Sequence, residues 1–166
     1  MMRKLTNVWL IGNFLLCFAV STRAQDIIRQ QSCNSAGYQK QIDSVKLLYQ
    51  TGGFRLLREA SMEMESQYEM PVVVPLNGRD LYSFVFIGDP NSRLFEVRLY
   101  DFAEAQVYYE KKLAGDQQAN VISFVYAPPA SNYFVLKAVQ VKKKQKILCG
   151  YVLLFKKEAG KGVIGQ

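Results

Sequence analysis

Four groups of side chains in this sequence could do chemistry: three cysteines, a run of glutamates, ten tyrosines and a cluster of lysines. There is no histidine, so Ser-His-Asp and Cys-His nucleophiles, histidine-ligated zinc, haem and facial-triad iron are excluded, because each needs an imidazole. Carboxylate chemistry remains. Glu59, Glu63, Glu65 and Glu69 form the one carboxylate cluster, and a pair of them could act as acid and base on a glycosidic bond. Placed on a strand, the same residues are a solvated face that discourages edge pairing. Asp89-Pro90-Asn91-Ser92 with Asp101 would offer oxygens to Ca2+, but they lack the ordered spacing of a calcium loop and an Asp-Pro turn accounts for them. No catalytic residue, metal ligand or cofactor is assigned.

The tyrosines, including the adjacent Tyr108-Tyr109, could stack on sugar rings, or could fill the half-buried positions of a sheet. The lysines are more distinctive. Residues 137–161 hold eight lysines against Glu158 alone, a net of +7. Lys142, Lys143, Lys144 and Lys146 form a turn, with Lys137, Lys156 and Lys157 expected on the strands beside it. Such a field would guide an anionic partner, an envelope protein or an anionic glycan or lipopolysaccharide surface. The alternative is a wet hairpin tip that keeps an edge soluble. A stretch without arginine in an exported chain argues against nucleic acid.

Export is read from residues 1–24. Arg3 and Lys4 precede a largely apolar run of 13 residues from Val8 to Val20, and Thr22-Arg23-Ala24 offers a small-x-small cleavage site before Gln25. The run falls short of the roughly 20 apolar residues of a membrane span. Leu16 before Cys17 disfavours a lipid anchor, which needs a small residue there. Cleavage would leave 142 residues with 18 cationic and 14 acidic side chains, a net of +4. Cys33 and Cys149 would survive, 116 positions apart. An even count in an oxidising compartment suggests a disulfide, and two buried thiols are the alternative.

The elements that must position these residues follow from periodicity. Tyr38, Ile42, Val45 and Tyr49, with Leu48 beside them, recur at helical spacing after an N-cap at Asn34 or Ser35. Thr51-Gly52-Gly53 ends that helix. The period then becomes two, with Phe54, Leu56, Ala60, Met62 and Met64 on one side and Arg58 as the exception. Strands are expected near 58–66, 69–76, 81–88, 94–101, 105–110, 121–126, 132–141 and 147–156. Pro71 and Pro75 make the second an edge strand. In strand 94–101, Phe95, Val97 and Leu99 face inward and Glu96 and Arg98 outward. About eight short strands bury their apolar faces economically as two packed sheets, so the fold class is an all-β sandwich with one N-terminal α-helix. The chain divides into a signal (1–24), a leader and amphipathic helix (25–53), the sandwich (54–156) and a Gly-rich flexible tail (157–166).

Leu81-Tyr82-Ser83-Phe84, Leu94-Phe95-Glu96-Val97-Arg98-Leu99-Tyr100-Asp101, Ala127-Pro128-Pro129-Ala130-Ser131-Asn132-Tyr133-Phe134-Val135 and Gly150-Tyr151-Val152-Leu153 together resemble the bacterial pre-peptidase C-terminal domain and its GOLD-like relatives, over roughly residues 58–156. The resemblance implies a jelly-roll-like sandwich with an extracytoplasmic accessory role and carries no catalytic residues. The expected function is a non-enzymatic protein of the Gram-negative cell envelope, periplasmic or secreted, that binds a protein or glycan partner or accompanies a larger complex. A carboxylate-only glycan hydrolase is the alternative.

Overall fold

The computed structural model describes residues 32–33 and 36–158. The expected signal, cleavage site, N-cap at Asn34 or Ser35 and last eight residues lie outside them. One helix, α1 (Gln39–Thr51), precedes eight strands: β1 (Phe54–Glu65), β2 (Met70–Leu76), β3 (Tyr82–Ile87), β4 (Leu94–Tyr100), β5 (Gln106–Leu113), β6 (Val121–Tyr126), β7 (Asn132–Val141) and β8 (Ile147–Lys157). They form two antiparallel four-stranded sheets, sheet A in the order β1-β8-β3-β6 and sheet B in the order β2-β7-β4-β5. Strands one and eight, two and seven, three and six, and four and five are partners. This nested pairing is the jelly roll, and the sheets bury Phe84, Phe95, Leu99, Ile122 and Phe134 between them.

Sheet A is covered on its outer side as well. There α1, with Tyr38 just before it, lays Ile42, Val45 and Tyr49 over Val85, Ile87, Leu153 and Phe155, with Tyr49 stacked on Phe155 at 4.6 Å between ring centres. Consequently all six residues of β3 are buried. The helical stripe is as expected except for Leu48, which is exposed beside Leu47. The helix begins after Tyr38, which provides no side-chain cap, and it ends where Gly53 adopts φ 76°, a conformation that costs glycine little.

The expectation that Phe54, Leu56, Ala60, Met62 and Met64 share one face fails at a β-bulge between Leu56 and Arg58. The extra residue, Leu57, changes the phase of the strand. Phe54 and Leu56 therefore pack under α1, whereas Ala60, Met62 and Met64 face the core between the sheets. Arg58, the apparent exception, sits beyond the bulge and donates to the Val73 carbonyl of β2, which is the proline-bearing edge strand anticipated. A disulfide joins Cys33 to Cys149 of β8, with Cα atoms 5.7 Å apart, and ties the segment before α1 to sheet A.

Candidate functional site

The lysine turn forms between β7 and β8, with Lys143, Lys144 and Lys146 exposed. Lys142 is half-buried, and its Nζ lies 3.4 Å from Asp89 Oδ2. The other lysines do not gather around it. Lys137 pairs with Glu69 at 3.0 Å on β7. Lys156 pairs with Asp80 at 2.6 Å, and Lys157 donates to the Gly52 carbonyl at 2.6 Å. These last two sit at the far end of β8, about 30 Å from the turn at 3.3 Å per residue. Antiparallel arms carry charges away from a hairpin tip, so the expected concentration at the turn is reduced to four lysines, one of them neutralised.

The glutamate cluster is divided between the sheets. Glu59 pairs with Lys46 of α1, and Glu63 lies opposite Cys149 on β1. Glu69 lies across the sandwich beside Arg98. The Asp89 turn holds its own oxygens: Oδ1 accepts from the Asn91 backbone at 2.8 Å, while Asp101 serves the Ala105 backbone at the opposite end of β4. Among the described residues, no group of three or more Cys, Asp or Glu is arranged to hold a metal ion.

The tyrosines sort by layer. Tyr38, Tyr49 and Tyr151 pack under or beside the helix, where burial, with the charge of Asp89 adding to it, pushes the Tyr38 hydroxyl up to about 12. Tyr108 stacks on Phe124 at 3.6 Å between the sheets and donates to Glu110; burial, with that hydrogen bond and the Glu110 charge adding to it, raises its pKa. Its neighbour Tyr109 faces the other way, onto the outer side of sheet B.

Among the described residues, no element covers that outer side. The ladder places Arg98 between Lys137 of β7 and Tyr109 of β5, and Tyr100 opposite Val135. Tyr133 is two residues from Val135, so Tyr133, Tyr100 and Tyr109 form a diagonal row over β7, β4 and β5. Diagonal neighbours of this kind are about 7–8 Å apart. The Lys137 ammonium lies 4.9 Å from the Tyr100 ring centre, and the Arg98 guanidinium 5.8 Å from that of Tyr109.

Next to this row is a groove of about 570 Å3, lined by Glu69, Glu96 and Arg98 at its polar centre and by Leu94, Val139 and Val141 among its apolar residues. Arg98 donates to Glu69 at 2.6 Å and contacts Glu96. Glu69 also holds Lys137, whose ammonium is raised above its ordinary range by that hydrogen bond and charge. Glu96 is nearly buried, and its Oε1 is held by Arg98 as an ion pair. The β1–β2 turn raises one wall: Gln67, at φ 79°, donates its backbone N–H to the Gln140 carbonyl at 3.0 Å. At the groove's end, Arg93 is exposed with no ion pair among the described residues, and so is Lys111, opposite Glu96 on β5. The chemistry available is recognition by fixed donors, acceptors and rings.

No family model matches the sequence, and no curated protein does. The solved structures it is similar to align with part of the chain at low sequence identity. PliG from Aeromonas hydrophila, a periplasmic inhibitor of g-type lysozyme, aligns at 8% identity over 59% of this chain and 84% of its own, with a TM-score of 0.43. A CBM4 structure aligns at 15% over 63% and 78%, with a TM-score of 0.40. A protein of the disulfide-linked pili of Bacillus endospore appendages aligns at 8% over 63% and 87%, with a TM-score of 0.38. No helix among the described residues is long and apolar enough to cross a membrane.

Glu96, Arg98, Arg93 and the groove itself escaped the sequence reading as a site. The outward alternation of Glu96 and Arg98 in β4 was visible, but Glu69, the second carboxylate on Arg98, is contributed by a turn nearly thirty residues earlier in the chain.

Proposed function

We propose that the protein is a non-enzymatic binding or accessory module of the cell envelope, periplasmic or secreted, whose ligand face is the outer side of sheet B. The observation that carries this reading is the unequal treatment of the two sheets. Sheet A buries its outer face under α1, whereas sheet B leaves a groove, a half-buried ion network and a tyrosine row facing solvent. Polar groups held on strands by one another are preorganised for a ligand, since little ordering is left for binding to cost. The signal-like residues 1–24 and the Cys33–Cys149 disulfide support an extracytoplasmic place. Kinship with pre-peptidase C-terminal and GOLD-like domains belongs to the same proposal, supported by quoted segments that fall on β3, β4, β7 and β8.

The hydrolase alternative is disfavoured because Glu69 leaves the glutamate cluster and Arg98 stands between Glu69 and Glu96. Retention of purified protein on native envelope fractions tests the binding face. Tyr133→Ala with Tyr109→Ala should lower retention at least fivefold, and Leu47→Gln with Leu48→Gln on the helix side should leave it unchanged. The reverse pattern would move the binding face to α1.

A further inference from the structure

We infer that the groove on sheet B takes an acidic glycan, a polyhydroxylated chain bearing carboxylate groups, and this rests on the binding face proposed above. The centre of the groove is internally balanced, with Glu69 and Glu96 against Arg98 and Lys137. Such a network presents donors and acceptors side by side without a strong net field, as a sugar's vicinal hydroxyls require.

The two cations with no ion pair among the described residues give the site its sign. Arg93 lines the groove at its end, and Lys111 stands on β5 opposite Glu96. Added to the four balanced groups they leave the face at +2. One guanidinium and one ammonium, separated along the face, complement isolated carboxylates better than a cluster of phosphates, which would call for several cations at one point. Beyond the groove on the same face, at the far end of the tyrosine row, Tyr133 is 58% exposed and could stack on an uncharged sugar face. Tyr100 and Tyr109 are partly roofed by Lys137 and Arg98 and contribute ring edges.

An extended acidic peptide fits less well. A sheet's outer face has its main chain already paired along the ladder, so a peptide laid there gains no backbone hydrogen bonds, which is what draws peptides to sheet edges. A hydroxyl-rich chain needs side chains only. The volume of about 570 Å3 falls in the range of sites that hold small ligands, enough for a short stretch of glycan.

Calorimetric titration tests the assignment with three probes: oligogalacturonate, a neutral cello-oligosaccharide, and phosphate-bearing polysaccharide released from lipopolysaccharide. Wild-type protein should bind oligogalacturonate and bind the neutral probe at least tenfold more weakly. Arg93→Gln with Lys111→Gln should weaken oligogalacturonate at least tenfold; both side chains are exposed, and an unchanged melting curve verifies that the variant is folded. Charge reversal at Arg93→Glu should weaken it further. Equal binding of neutral and acidic probes, or binding of the phosphorylated probe alone, overturns the inference. If no probe binds while Tyr133→Ala and Tyr109→Ala still abolish envelope retention, the acidic glycan is wrong and the binding face stands. If neither the probes nor retention respond, both are wrong.

Discussion

The outer faces of the two sheets show what this fold does with an exposed pleated surface. On sheet A, alternate residues of β3 and β8 are Val85, Ile87, Leu153 and Phe155, and a helix tethered by a disulfide covers them. On sheet B, the corresponding positions of β4 and β7 are Glu96, Arg98, Lys137 and Val139. One face is apolar and contributes to stability. The other is polar, paired and open. The lesson is that coverage follows composition: a chain can hide only the face that is apolar enough to make hiding it favourable.

The largest effect should come from the tether. Replacing Cys33 and Cys149 with Ser opens a loop of 116 residues, which the chain-entropy model values at about 4–5 kcal/mol. Urea unfolding of the double variant against the oxidised protein measures it. A difference under about 1 kcal/mol would mean that the denatured chain is already confined without the bond.

A smaller effect contrasts the faces directly. Ile42 is 1% exposed beneath the helix, so Ile42→Ala should cost about 2–4 kcal/mol through lost burial and a residual cavity. Lys111→Ala on the bare face should stay within about 0.5 kcal/mol. Equal losses from thermal melts would show that sheet B carries more of the fold's stability than its exposure implies.

The strands were legible because turn residues punctuate them. All eight lie where the periodicity puts them, with β1 starting four residues early and β5 running three residues longer, since Lys111, Lys112 and Leu113 continue its ladder with β4. The bulge at Leu57 was not legible, because an extra residue leaves the even-numbered pattern intact on paper while it exchanges the faces in space. Nor was the double burial of β3, although its run Tyr-Ser-Phe-Val-Phe-Ile is what a strand covered on both sides requires. The candidate site was the least legible part. Its charges are ordinary one by one and acquire meaning only through the register that brings β4, β5, β7 and the β1–β2 turn together.

The smallest effect concerns the lysine turn, and it separates a steering field from the site itself. Lys142 is held by Asp89, so its loss would disturb the β3–β4 turn and confuse the reading. Lys143, Lys144 and Lys146 are exposed and can be changed to Gln without touching a partner. They stand at the end of the sandwich where Arg93 and Val141 close the groove, within reach of an anionic chain leaving it. A field from three exposed charges is screened within about 8–10 Å at physiological salt, so it should speed encounter more than it deepens binding. The triple variant should therefore melt as the wild type does, within about 0.5 kcal/mol, and lose association rate two- to threefold at low salt, with the difference vanishing near 0.5 M. Association rates on immobilised envelope material, measured across salt concentrations, check this. A rate that is unchanged at every salt concentration would reduce the turn to a solubilising tip. A salt-independent loss would instead make these lysines direct contacts and extend the groove past the end of sheet B.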